Sequence, residues 1–385
     1  MSSPSTNAAE YRGAPRLSWK KRVAFSLVAV VLVFGALEVT ARGYYFVRNL
    51  RAPPPAPVQA APAPSPTPAI PTPSPTPDPA RLHPYTYYED DGQYYLKPGY
   101  DDGAIHINAK GFRGREFDAN KTTGVARIMV IGDSTVFGLA GEQCPFPAQL
   151  ETMLNQAGSG PHVEVINAGV EGYDSVWCVH AMQRKDWLQY RPDLVVIKVG
   201  WNDFYSSDIR QNRSPDWMGR VVSSSAFLTA IRNLWFEKIH PLTGIAAPTQ
   251  IISDDDIRAF TPHGFVENVR TMIEQSRARG ASVLLVNQPT LLDERMSPAA
   301  LQLMKYPYFT TSPKQMLLLY QRYDAALRGL ALEENVPLAD ISHAFDGLDK
   351  TKYFLDVLHV TCDGNMLIAK ALLPSVRTAV AKVVR

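Results

Sequence analysis

The chain has little cysteine, no excess of either charge and no apolar run of comfortable membrane-spanning length. Each scarcity excludes something. Three cysteines in 385 residues, Cys144, Cys178 and Cys362, lack the spacing of a metal site. One disulfide with a thiol left over, in an oxidising compartment, and three buried small hydrophobes are the readings that remain. Thirty-nine Lys+Arg against 37 Asp+Glu give no general argument for nucleic acid as a partner. The apolar run Val23 to Leu37 falls short of the ~20 residues of a full span. No Gly-x-Ser-x-Gly elbow occurs anywhere.

Proline is abundant but concentrated. Residues 52–84 hold 14 of the chain's 31 prolines, in Ala-Pro, Ser-Pro and Thr-Pro steps that can build neither a core nor a ladder. This composition predicts extended polyproline II, a spacer of up to about 100 Å at ~3.1 Å per residue. An SH3-type ligand is the sharper alternative. Before it, residues 1–22 are polar and basic, and 23–47 are apolar if Glu38 and Arg42 snorkel at the interface. The expected organisation is a cytoplasmic N-terminus, a signal anchor over 23–47, a Pro-rich linker over 48–84 and the remainder outside the cytoplasm. Cleavage after Val39-Thr40-Ala41 is the competing reading. The arginines Arg42, Arg48 and Arg51 weaken the orientation without reversing it.

Residues 85–126 are rich in tyrosine and turn signals. They read as an N-terminal extension on the domain edge, with a short strand at Ile105–Asn108 and a tight turn at Gly111-Phe112-Arg113-Gly114. From 127 to 385, strands and helices alternate. Five strands are predicted, at Arg127–Ile131, Val163–Ile166, Leu194–Val199, Ser282–Asn287 and Val336–Ile341. Helical patterns follow at Phe146–Ala157 and Ser175–Tyr190, and a last helix at Gly364–Val384. Alternation argues for an α/β fold, a doubly wound, flavodoxin-like, parallel five-stranded sheet in the order 2-1-3-4-5. Residues 204–260, with an aromatic run from Trp217 to Phe236, break the pattern as an insertion: a lid, a substrate platform or extra packed helices.

The strand ends carry chemistry. Gly132-Asp133-Ser134 closes the first strand, where open sheets place ligands, although Asp133-Ser134 alone also reads as a helix cap. Gly169 closes the second, and Gly200 and Asn202 close the third. Asp356-Val357-Leu358-His359 precedes the last helix. A serine attacks an acyl carbon only when a base takes its proton, and an imidazole oriented by a carboxylate is such a base. Ser134, His359 and Asp356 supply these groups. The backbone N–H groups of Ser134 and Gly169 and the Asn202 amide are the candidate donors to a tetrahedral oxyanion. Each element alone has a plainer explanation, as a surface pair, a turn or a loop glycine. Their order and placement on one rim argue for the catalytic reading. The other histidines, His83, His106, His162, His180, His240, His263 and His343, show no ligand spacing. Cys144 and Cys178 follow the first and second blocks and could approach near the active rim, so a disulfide between them is one hypothesis beside simple packing of all three; Cys362 reads as packing.

Over about residues 105–385 the sequence resembles the SGNH/GDSL hydrolase family. Gly132-Asp133-Ser134-Thr135, Gly169, Gly200-Trp201-Asn202-Asp203 and Asp356-Val357-Leu358-His359 are similar to its four blocks. Arg191-Pro192-Asp193, Asn108 and Gly111-Phe112-Arg113-Gly114 look like its bacterial branch. The resemblance implies Ser134 as nucleophile, His359 as base, Asp356 as its orienter, and Ser134, Gly169 and Asn202 as oxyanion hole, with no metal and no cofactor. The resulting expectation is a membrane-anchored, periplasm-facing serine esterase acting on small-molecule, glycan or lipid esters of the cell envelope. An O-acyltransferase with the same triad and a non-catalytic glycan-binding module are the alternatives.

Overall fold

The computed structural model describes residues 33–40, 83–89, 93–138, 141–156, 160–206, 253–305, 310 and 312–383. The chain divides into two compact units, Met1–Pro64 with Asp216–Ile245, and Ser65–Pro215 with Ala246–Arg385. In the first unit the described residues are 33–40, a helical stretch. Among the described residues no helix is long and apolar enough to cross a membrane. Most of the expected anchor over 23–47, nearly all of the Pro-rich linker and the Trp217–Phe236 run lie outside the described residues.

The second unit begins with a hairpin, β1 (Thr86–Tyr88) and β2 (Tyr94–Leu96), paired antiparallel. Then come β3 (Val125–Gly132), α1 (Ser134–Phe137), α2 (Phe146–Gln156), β4 (His162–Gly169) and α3 (Ser175–Arg184). β5 (Leu194–Lys198), α4 (Asp203–Ser206), α5 (Asp254–Ala259), α6 (His263–Ala278) and β6 (Ser282–Val286) follow. The chain ends with α7 (Pro298–Gln302), α8 (Pro313–Glu333), β7 (Leu338–Ala339) and α9 (Cys362–Val383). β3 to β7 form one parallel sheet in the order β4-β3-β5-β6-β7, the expected 2-1-3-4-5.

The sheet is covered on both faces, so its strands read as near-continuous apolar runs. Alternate residues serve opposite sides. Met129, Ile131, Val195, Ile197, Val283 and Leu285 pack with α3, α6 and α8. Ile128, Val130, Leu194, Val196, Leu284 and Val286 pack with α2 and α9. Ile128 through Ile131 are wholly buried, each side chain worth about 1.5–3 kcal/mol of transfer free energy. Arg127, equally buried, is tolerated because Glu164 accepts from Nε and Nη2 at 2.9 and 2.8 Å and the carbonyls of Tyr190, Ala119 and Asp118 take its remaining donors.

The first two strands run longer than the sequence pattern, to Val125–Gly132 and His162–Gly169, and three elements are cut short or broken. The helix expected over Ser175–Tyr190 stops at Arg184. Asp186 and Arg191 take positive φ, and Trp187–Tyr190 form a separate 3₁₀ turn. The fifth strand shortens to Leu338–Ala339, because Asn287 Oδ1 takes the Ile341 N–H at 2.8 Å and ends the ladder. The Ile105–Asn108 strand is reduced to isolated bridges, Asp101 with His106 and Ile107 with Arg113. The turn after it holds: Asn108 Oδ1 accepts the N–H groups of Lys110 and Phe112, with Gly111 at φ +80°.

Candidate active site

The site is built on two neighbouring strand tips that lack Cβ atoms. Gly132 of β3 stands opposite Gly169 of β4 in register. A Cβ on Gly132 would lie 2.1 Å from the Lys198 carbonyl oxygen, and one on Gly169 would lie 2.3 Å from the Phe137 nitrogen. These two absences let α1 sit directly on the sheet. Asp133 caps it, accepting from Thr135 N, and Gly138 at φ +76° ends it after four residues. Ser134 is thereby presented at the start of a helix on the C-terminal rim of the sheet.

Ser134 Oγ lies 2.7 Å from His359 Nε2, across 225 residues of sequence. His359 Nδ1 lies 2.9 and 3.0 Å from the two oxygens of Asp356. Asp356 Oδ1 also accepts the N–H groups of Leu358 and His359, at 3.1 and 2.9 Å. Burial alone would push the Asp356 pKa up; the His359 ring and these N–H groups outweigh it and hold the carboxyl well below the usual carboxylate range. Lys305 Nζ reaches Oδ2 at 2.9 Å from a largely exposed position. The Val357 carbonyl accepts from Thr290 Oγ1 at 2.9 Å and Leu291 N at 3.0 Å, which fixes the loop to the segment after β6.

Beneath the nucleophile turn lies a lysine that the sequence reading passed over. Lys198, the last residue of β5, is 1 % exposed. Its Nζ donates to Thr135 Oγ1 at 2.5 Å and to Gln288 Oε1, while Thr135 Oγ1 donates to Asp133 Oδ1 at 2.6 Å. Burial lowers its pKa to about 8, and Asp133 partly offsets that. The signal was present in the sequence: a charged residue at the end of an otherwise apolar strand.

The expected oxyanion donors separate. Asn202 donates one amide hydrogen to the Tyr173 carbonyl at 2.9 Å, which leaves its second for another acceptor. Gly169 is a correction: its N–H is taken by Asn167 Oδ1 at 3.0 Å, and the same Asn167 donates to the Val136 carbonyl at 2.9 Å. Gly169 is there for close packing. In the loop that follows β4, Gly172 has φ +77°, and among the described residues no acceptor takes its N–H. It adjoins Tyr173, to which Asn202 is tied. The Ser134 N–H is likewise untaken among the described residues.

The disulfide expectation is also corrected. Cys144 pairs with Cys362, with Cα atoms 4.9 Å apart, and Cys178 is free and buried. Cys178 lies on α3, and α2, which follows Cys144, covers the opposite face of the sheet. Among the described residues no group of three or more His, Cys, Asp or Glu is placed to hold a metal ion.

The model of the GDSL-like Lipase/Acylhydrolase family matches residues 130–367. No curated protein matches the chain. Solved structures similar to it include TesA, at 19 % identity over 66 % of this chain and 99 % of that one, with a TM-score of 0.38. The acetyl xylan esterase AlAXEase is 17 % identical over 65 % of this chain and 99 % of that one, with a TM-score of 0.39. A catalytic mutant of Axe2, an acetylxylan esterase from Geobacillus stearothermophilus, is 15 % identical over 65 % and 94 %, also at 0.39.

Proposed function

This chain belongs to the GDSL-like lipase/acylhydrolase family and is a serine hydrolase, and from that premise we propose that it cleaves carboxylic esters through Ser134, His359 and Asp356. The observation that carries the reading is the 2.7 Å approach of Ser134 Oγ to His359 Nε2. Asp356 holds Nδ1 as the protonated nitrogen, so Nε2 is the acceptor facing the hydroxyl. Ser134 Oγ forms a bond to the ester carbonyl carbon as its proton passes to Nε2. The oxyanion is held by the N–H groups of Ser134 and Gly172 and by the Asn202 amide, each worth about 2.7–4 kcal/mol in transition-state stabilisation. His359 then returns the proton to the departing alcohol oxygen as its bond to carbon breaks. Water, deprotonated by the same nitrogen, releases the acyl group as a carboxylic acid and restores Ser134.

The compartment reading belongs to the same proposal. A basic N-terminus, the apolar stretch over 23–47 and the Pro-rich 48–84 suit a single-pass inner-membrane anchor with the hydrolase on the periplasmic side. A disulfide is at home there. The substrates of that location are acylated glycans or lipids of the cell envelope. The test is covalent labelling of the full chain by a fluorophosphonate, with a panel of ester substrates. Labelling is expected in the native protein and absent in Ser134→Ala. Hydrolysis is expected to vanish in His359→Ala without loss of fold. Labelling that persists without Ser134 rejects the nucleophile, and near-native turnover without His359 rejects the base.

A further inference from the structure

The N-terminal hairpin reaches the loop that carries Gly172. Tyr94 of β2 donates from Oη to the Glu171 carbonyl oxygen at 2.5 Å. That carbonyl and the Gly172 N–H belong to one peptide group. The peptide is trans, so its C=O and N–H point in opposite directions. Whatever grips the carbonyl from one side therefore aims the N–H at the other. We propose that Tyr94 is a positioning residue of the oxyanion hole: its hydroxyl locks the Glu171–Gly172 peptide with the Gly172 N–H turned toward the nucleophile. This rests on the reading of Gly172 as an oxyanion donor.

The lock is needed because of the glycine. Glycine populates positive and negative φ about equally, so the peptide before Gly172 turns over at little steric cost. A turned peptide would present a carbonyl oxygen to the oxyanion, repelling the charge it should hold. Glycine is also what makes the lock possible: a Cβ at 172 would lie 2.5 Å from Tyr94 Oη, so the hydroxyl occupies the space a side chain would fill. Tyr94 is itself held. Its carbonyl accepts from Tyr173 Oη at 2.5 Å, and its ring meets Tyr173 edge-on at 5.4 Å and stacks on Trp177 at 6.2 Å. Burial, with Tyr88 and Asp174 nearby, pushes the Tyr94 phenol well above its ordinary pKa, so it remains a donor across the working range. A second grip acts on the Glu171 side chain alone, where the carboxylate takes Tyr85 Oη and His83 Nε2.

The experiment compares Tyr94→Phe, Tyr85→Phe, Asn202→Ala and Gly172→Ala in the full chain, with 4-nitrophenyl acetate as substrate and a phenylboronic acid as transition-state analogue. Phe keeps the ring packing and removes only the hydroxyl. Tyr94→Phe is expected to lower kcat about 10- to 100-fold, short of the roughly 10²–10³ lost with a whole donor. Its KM should stay within about 3-fold, and boronate affinity should fall in step with kcat. Tyr85→Phe is expected to keep native kcat. Unchanged kcat in Tyr94→Phe, beside a large loss in Asn202→Ala, overturns the lock and leaves the oxyanion hole standing. Native kcat in Asn202→Ala and in Gly172→Ala overturns the hole itself. Equal losses in Tyr85→Phe and Tyr94→Phe, or a Tyr94→Phe chain without a cooperative thermal melt, make the hairpin a matter of folding and overturn the proposal.

Discussion

Cys144 and Cys362 are joined by a disulfide across 218 residues of sequence. One partner follows the nucleophile turn and the other opens α9 just past His359. Gln149 Nε2 donates to both cysteine carbonyls, at 2.8 and 3.3 Å. The bridge thus ties the serine side of the site to the histidine side. In the chain-entropy model a loop of this length stabilises by at most ~5 kcal/mol. The Cys144→Ser, Cys362→Ser double variant is expected to unfold at markedly lower denaturant and to lose turnover before it loses fold. Thiol titration of the unfolded, unreduced chain should return one thiol, Cys178, and all three after reduction. Three thiols without reductant contradict the pairing.

Lys198 makes stability depend on pH with a definite sign. Burial sets its pKa to about 8 in the folded chain, against roughly 10.4 when exposed. Below about pH 8 both states hold the proton, and the buried charge costs roughly 3 kcal/mol relative to a lysine of ordinary pKa. Between about 8 and 10.4 the unfolded chain binds more protons, so this residue's contribution to stability rises with pH. Lys198→Met is therefore expected to be stabilising near pH 7, with the advantage shrinking toward about pH 10, as read by urea melts. Activity should fall, because Thr135 and Gln288 lose the donor they share. A stability difference that does not vary with pH rules out ionisation of Lys198 in this window.

Much of this was legible in the residues. The apolar run through Ile128–Ile131, stopping at Gly132, placed β3, and alternation gave the strand order. Ser134, Asn202, Asp356 and His359 each sit at a strand end or its loop, where spacing alone could put them. Other features depended on which face an element turns to the sheet. Cys144 pairs with Cys362 and not with Cys178 because α3 and α2 lie on opposite sides of the sheet, which the sequence does not tell. Gly169 ends β4 and Gly172 follows it three residues later, and nothing in the spacing marks the second as the donor. Only the register with Gly132 and the claim of Asn167 on the Gly169 N–H separate a packing glycine from one with an untaken donor.

That distinction has its own measurement. Gly169→Ala would put a Cβ 2.3 Å from a backbone nitrogen of α1, and nothing there can swing aside. It is expected to abolish soluble, folded protein or to lower its melt severely. Gly172→Ala meets a side-chain hydroxyl, that of Tyr94, rather than backbone, and a non-glycine residue at positive φ costs about 1–2 kcal/mol. It should fold, melt slightly early and lose about 10²-fold or more in kcat. The reverse pattern, a folded Gly169→Ala with low kcat and an unaffected Gly172→Ala, would return the oxyanion role to Gly169.

Asp356 receives two side-chain donors of unequal standing. His359 Nδ1 meets it inside the site at 2.9 Å, whereas Lys305 Nζ comes to the same oxygen at the same distance with its side chain 75 % exposed. Solvent screens an exposed pair, whose worth is at most about 1 kcal/mol. Lys305→Ala is therefore expected to change kcat/KM by less than about 5-fold and to leave the fold intact. Asp356→Asn keeps the shape but offers an amide to Nδ1, which favours the wrong tautomer of His359; in triads of this kind that costs about 10⁴ in kcat. The carboxyl's depressed pKa adds a sign. Its stabilisation is present above the unfolded carboxylate range and is lost as pH falls through that range toward the folded value. Acid titrations of native and Asp356→Asn chains should therefore begin to converge near about pH 4 and meet only toward the folded value, with the native chain losing more on the way. Equal kcat losses in Lys305→Ala and Asp356→Asn would mean that the lysine, rather than the imidazole, is the partner this carboxylate serves.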